Sequence, residues 1–137
     1  EPVVEEAIVE GQPATVAHSL LDGGELHHMF DGDLFTLARG AEANPLILDI
    51  SLSNPQVWER LVLTTGSMSM RVNLTLFPAD GSDPVVLEQA FMDLPPDPTV
   101  TLDFPADLGA IGQVRLAITQ LDAGIPAKIH IREVQFE

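Results

Sequence analysis

Within six residues, Asp31-Gly32-Asp33-Leu34-Phe35-Thr36 supplies three side chains with hard oxygen donors, and its glycine lets the backbone turn sharply between the first two. Two chemistries suit that spacing. Carboxylates and a hydroxyl turned to one point, completed by backbone carbonyls, bind a hard cation such as Ca2+, which takes about six to eight oxygens at flexible distances. The same residues also make a self-sufficient Asx turn, with the Asp31 carboxylate capping it and Thr36 bonding locally. Both readings stand on the sequence.

Other reactive residue types are scattered. Of the four histidines, His27 and His28 are adjacent and point to different sides of any regular element, while His18 and His130 stand apart. No His-x-His pattern offers a transition-metal site of the cupin kind, so these side chains are read as solvent-facing or locally bonded. Ser67 and Ser69 lack a nucleophile elbow. Asp49, Glu88 and Asp103 fall on outward positions of strand-like runs, where a charge is ordinarily just solvated, and nothing selects a catalytic pair. For binding, the best single residue is Trp58, the one tryptophan, which follows Asn54-Pro55-Gln56 at the start of a strand. There it either faces a loop cleft and stacks on a sugar ring or a partner, or closes the end of the core. Arg39 and Asn44, in a neighbouring loop, are candidate hydrogen-bond donors to the same ligand. Asn73-Leu74-Thr75 is a formal glycosylation sequon in mid-strand.

Composition narrows the setting. A net charge of −15 repels nucleic acid and anionic lipid surfaces and favours cations and basic partners. There is no cysteine, which removes disulfides and thiolate chemistry. No apolar run approaches the ~18–20 residues of a membrane span. The chain opens on Glu1 without a methionine, the pattern expected of an excised or processed segment of a longer protein.

The elements that must position these residues are strands. Residues 1–17, acidic and weakly periodic, read as a linker or N-terminal extension with at most a short strand at Ala7-Ile8-Val9. The domain proper is expected over 18–137. Glu25 to Met29 suits one helical turn leading into the Asp31 loop. Phe35 to Arg39 is the first strand. Leu46, Leu48, Ile50 and Leu52 alternate with polar residues, as do Met70, Val72, Leu74 and Leu76, then Val100, Leu102 and Phe104, then Val114, Leu116 and Ile118. Further strands are read at Val57–Thr64, Val85–Phe91 and Lys128–Phe136, with turns at Asn54-Pro55, Pro78-Ala79-Asp80-Gly81, Pro95-Pro96-Asp97-Pro98 and Ala123-Gly124-Ile125-Pro126. Period-2 patterning with one apolar face predicts an all-β fold, an eight-stranded antiparallel β-sandwich of jelly-roll type. In the last strand Ile129 and Ile131 have one parity, Val134 and Phe136 the other. A β-bulge at Arg132-Glu133 brings both pairs to the core and re-aims Glu133.

Asp31-Gly32-Asp33-x-x-Thr36, the series of strands, and a terminal strand reading Ile129-His130-Ile131-Arg132-Glu133-Val134 together resemble the discoidin, or coagulation factor 5/8 type C, domains. These belong to the galactose-binding-like β-sandwiches, which include many bacterial carbohydrate-binding modules. The resemblance spans about Leu21 to Glu137. It implies a structural Ca2+ held by the side chains of Asp31, Thr36 and Glu133 and the backbone carbonyls of His28 and Asp33. The chain departs from the family in having Leu37 where a tryptophan is common, no tyrosine, and no terminal disulfide.

The expected function is a non-catalytic accessory module of a larger extracytoplasmic protein, bacterial and at the cell surface or secreted. It would bind a glycan or a protein partner through its loops, without nucleic acid contact or membrane insertion. The rival expectation is a structural or docking domain contacting its own polypeptide, to which the aromatic content of 5% lends weight; a jelly-roll enzyme ranks third.

Overall fold

The computed structural model describes residues 1–122 and 128–137. Eleven strands run in order: β1 (Val3–Val9), β2 (Gln12–His18), β3 (Leu21–Gly23), β4 (Ala38–Gly40), β5 (Leu46–Gln56), β6 (Arg60–Thr65), β7 (Met70–Pro78), β8 (Val85–Phe91), β9 (Thr99–Asp103), β10 (Ile111–Gln120) and β11 (His130–Phe136). One 3-10 turn, Leu26–Met29, lies where a helical turn is expected before the Asp31 loop. The strands form two antiparallel sheets, one of six in the order β1-β2-β5-β10-β7-β8 and one of five in the order β3-β4-β11-β6-β9. The fold is the expected all-β sandwich.

The alternation in the sequence becomes the core. Leu46, Leu48 and Ile50 of β5, Val72, Leu74 and Leu76 of β7, and Val114, Leu116 and Ile118 of β10 are fully buried on the inner face of the six-stranded sheet. Leu61, Leu63, Ile131, Val134 and Phe136 meet them from the other sheet. Each such side chain removed from water contributes about 1.5–3 kcal/mol.

Residues 1–17 are not a linker. They form the hairpin β1–β2, and β2 pairs along β5 from Ala14–Leu52 to His18–Leu48. Their inward residues are mostly small (Ala7, Val9, Ala14, Val16), so the buried face is thin and the glutamates on the other face dominate the composition. The hairpin's turn also reaches the far end of the chain, where Glu10 accepts a hydrogen bond from the Phe136 amide at 2.9 Å. All eight expected strands are present, joined by β1, β2 and the short β3. The first of the eight is shorter than expected, because Phe35 and Thr36 belong to the preceding turn and only Ala38–Gly40 pairs. The expected turn at Ala123-Gly124-Ile125-Pro126 lies outside the described residues.

The register of β11 on β6 shifts between Ile131 and Glu133, the bulge that the change of parity predicts. Ile131 and Val134 are both fully buried as a result. Two consecutive side chains are redirected: Glu133 turns under the Asp31 loop, and Arg132 turns to that loop's outer side.

Candidate functional site

The approach to the Asp31 loop is fixed before the loop begins. Leu26 and Met29 bury themselves in the core and anchor the 3-10 turn. The His28 amide donates to Glu25 O at 3.0 Å, while the Glu25 amide donates to His28 Nδ1 at 3.0 Å. The ring is thus held on one side and the carbonyl of His28 is left for the loop. Gly24 has φ +66°, and a Cβ there would collide with the carbonyl oxygen of Leu37, so the entry and exit of the segment touch through a glycine.

Within the loop, Gly32 takes the left-handed region (φ +73°) between the two aspartates. The Asp33 amide donates to Asp31 Oδ1 at 3.0 Å and the Phe35 amide to Asp33 Oδ1 at 2.8 Å. From below, Glu133 accepts from the Gly32 amide with both carboxylate oxygens, at 3.1 and 3.2 Å. From outside, Arg132 Nη1 donates to Leu34 O at 3.1 Å. The bulge in β11 therefore grips the loop on two sides.

All five residues expected to ligate a cation are brought together. Thr36 Oγ1 lies 2.7 Å from Asp31 Oδ2, 3.0 Å from Asp33 O and 3.4 Å from His28 O. A hydroxyl has one proton, so it can satisfy one of these three oxygens at a time. Glu133, 8% exposed, adds its carboxyl beside that of Asp31. Electrostatics record the crowding. Burial pushes the Glu133 carboxyl up to about 7, the charges of Asp31 and Glu10 push the same way, and the Gly32 amide opposes them. For Asp31 burial also acts upward, but the Thr36 hydroxyl, the Asp33 amide and His28 outweigh it and hold that carboxyl below its ordinary value. Of the two, Glu133 is the one that takes a proton. Among the described residues no three His, Cys, Asp or Glu side chains cluster as a metal site. The Asp31 set is instead two carboxylates, a hydroxyl and two carbonyls, donors that suit a hard cation. Glu10, Phe30, Asp31, Gly32, Glu133 and Gln135 border an open cleft of about 420 Å3 beneath the loop.

The expected ligand contacts fare differently. Trp58 is 8% exposed and stacks on Phe136, with centroids 4.5 Å apart and planes at 10°. It closes the end of the core, and its ring is not a platform for a sugar. Arg39 Nε is committed to Asp22 Oδ1 at 2.7 Å, tying β4 to β3. Asn44 accepts from the Gln120 amide at 2.9 Å and donates to its carbonyl at 3.1 Å, which clips the β4–β5 loop to β10. These three residues serve the framework. His18 is 2% exposed and bonded at both nitrogens, to Ser19 O and to Glu5, in keeping with a locally bonded role.

Two residues outside the expected set stand out. Phe35 is 93% exposed, and Arg132 carries the outer grip on the loop. The signal for Phe35 lies in the sequence: an apolar pair, Leu34-Phe35, inside a turn whose other members all bond the backbone or the core. Assigning Phe35 to a strand hides it.

No family model matches the sequence, and comparison with curated proteins finds no match. Solved structures do match. CpGH89CBM32-4 from Clostridium perfringens, in complex with GlcNAc-alpha-1,4-galactose, superposes with a TM-score of 0.66 at 20% identity, over 88% of this chain and 87% of that one. The family 32 carbohydrate-binding module of C. perfringens NanJ, in complex with galactose, gives 0.68 at 13% identity, over 90% and 92%. A Ruminococcus gnavus GH29 fucosidase in complex with fucose gives 0.68 at 11% identity, with 90% of this chain matching 24% of the fucosidase chain. The chain has the discoidin-like, galactose-binding-like β-sandwich fold found in these carbohydrate-binding modules.

Proposed function

We propose that this chain is a non-catalytic glycan-binding module of a larger extracytoplasmic protein, with a structural Ca2+ in the Asp31 loop. One observation carries the glycan reading: the match extends over nearly the whole of two separate modules whose structures contain bound sugars. The match to a small part of a fucosidase supports the accessory role. For the cation, the support is the donor set, in which Thr36 shares one proton among three facing oxygens while Glu133 lies beside Asp31. Asp31, Thr36 and Glu133 would hold the ion with the carbonyls of His28 and Asp33. Its charge would neutralise the two carboxylates and so lock the loop to β11. The chain's own residues bind and orient; no proton or electron is moved.

The test is a glycan array followed by calorimetric titration, with and without calcium. Retention of a galactose- or N-acetylhexosamine-bearing glycan is expected. If no glycan binds at about millimolar ligand in either condition, the glycan reading fails. For the cation, calcium raises the melting temperature of the native chain and Asp31→Ala removes the rise; a chelator-insensitive melting temperature leaves the loop a simple turn. The rival docking role draws on the burial of Trp58, and it gains if the array is silent.

A further inference from the structure

We infer that Phe35 is the stacking platform of a glycan subsite completed by Arg132 and Asp97, and that this subsite takes an uncharged hexopyranose such as a galactoside. The inference rests on the glycan-binding reading and deepens it by naming the surface and the class of sugar. Phe35 is 93% exposed at the tip of its turn, and its neighbour Leu34 is 51% exposed. Leaving a phenyl ring in water forgoes a large hydrophobic gain, and a ring presented this way is a contact in search of a flat apolar partner. The turn that presents it is stiff. The Phe35 amide is fixed to Asp33 Oδ1 at 2.8 Å, and the carbonyl just before it is fixed by Arg132 Nη1 at 3.1 Å. A platform ordered before binding does not lose its contact energy to the ordering of a loop.

Polar groups stand at the base of the turn, against the backbone carbonyl that precedes Phe35. Among the described residues, the Nη1 contact to Leu34 O is the one hydrogen bond of the Arg132 guanidinium. Its Nε is buried and 3.6 Å from Asp97 Oδ1, too long for a hydrogen bond and out of a ligand's reach, so the donor left for a hydroxyl is Nη2, which makes no hydrogen bond among the described residues. Asp97 is itself steadied by its amide, which donates to Ser67 Oγ at 3.0 Å. A pyranose needs this combination: an aromatic face for its C–H side, and a donor with an adjacent acceptor for its hydroxyls.

Charge selects the class. Arg132 is already opposite Asp97, the Asp33 carboxylate lies in the same turn, and the chain carries −15, so uronates, sialic acids, phosphates and anionic lipid are repelled. Two apolar side chains are also far too little surface for a protein interface, which needs about 1,000 Å2. A single neutral sugar ring matches the size of the patch.

The experiment is an amide NMR titration of the whole chain with methyl galactoside and with a galacturonate oligomer, in calcium, on native protein, Phe35→Ala and Phe35→Trp. Shifts centred on residues 33–36, 97 and 132 are expected with the galactoside. Phe35→Ala should weaken binding about tenfold or more at an unchanged melting temperature, and Phe35→Trp should retain it. If Phe35→Ala binds like the native chain, with shifts gathered elsewhere, such as the hollow at Asp49 and Arg115, this subsite is overturned while the glycan reading stands. Tighter binding of the galacturonate overturns the class. If the native chain binds no glycan on the array or in the titration, the broader reading fails and this inference goes with it.

Discussion

Glu133→Gln is the most informative change in the molecule. In the folded chain the Glu133 carboxyl is pushed from 4.5 to about 7, chiefly by burial. A folded-state value above the unfolded one means that, between those two pH values, the folded chain holds a proton that the unfolded chain has released. Stability contributed by this group is therefore complete below about 4.5 and is lost as pH rises through about 7. At about 1.4 kcal/mol per unit, the loss reaches about 3 kcal/mol at pH 8, or roughly 10 °C in melting temperature for a domain of this size. Glutamine keeps an acceptor for the Gly32 amide and removes the titration. The assay is urea unfolding in chelator at pH 5 and pH 8, followed by the fluorescence of Trp58, a single buried reporter. The native chain should lose stability from pH 5 to pH 8 relative to Glu133→Gln. Calcium at a hundredfold excess over its Kd should return about 2.7 kcal/mol at pH 8, less at pH 5 where the proton competes, and little in the variant. Parallel pH profiles in chelator, or equal calcium stabilisation of both proteins, would refute the reasoning.

Two further outcomes test the framework. Burial, helped by the charges of Arg39 and Arg132, lowers the His130 imidazole below its ordinary value, so its stability contribution is present above pH 6.5 and lost as pH falls; His130→Asn in the Glu133→Gln background should flatten the acid side of the unfolding profile. Trp58→Ala should cost about 3–5 kcal/mol by circular dichroism melts, yet leave glycan affinity intact at a temperature where the variant is folded; loss of affinity without loss of stability would return Trp58 to the binding surface.

What was legible in the sequence followed the periodicity of the core. Strands such as β5, β7 and β10 bury every second residue, and that pattern is visible without coordinates. The bulge was legible for the same reason, since two pairs of opposite parity can both be buried only if the strand slips between them. With the bulge came the partnership of Glu133 with the Asp31 loop, more than 100 positions away. The hairpin β1–β2 was not legible, because Ala7, Ala14 and Val16 make a weak apolar signal against Glu5, Glu6 and Glu10. Pro13 also argues against a strand there, although it lies near the start of β2 and is exposed. Trp58, Arg39 and Asn44 share one limit of sequence: residue type shows that a group can bind, but not which partners the fold gives it, here Phe136, Asp22 and Gln120.

The position of β11 bears on how the chain reaches this state. It lies between β4 and β6 in the centre of the five-stranded sheet, so until it arrives those two strands have an open gap between them. More than nine-tenths of the chain precedes this strand and therefore leaves synthesis with two unpaired strand edges and a half-open hydrophobic interior, a condition that invites chaperones and aggregation. The same late strand delivers Arg132 and Glu133 to the Asp31 loop. Closure of the sheet and the anchoring of the loop by Arg132 and Glu133 then become one event.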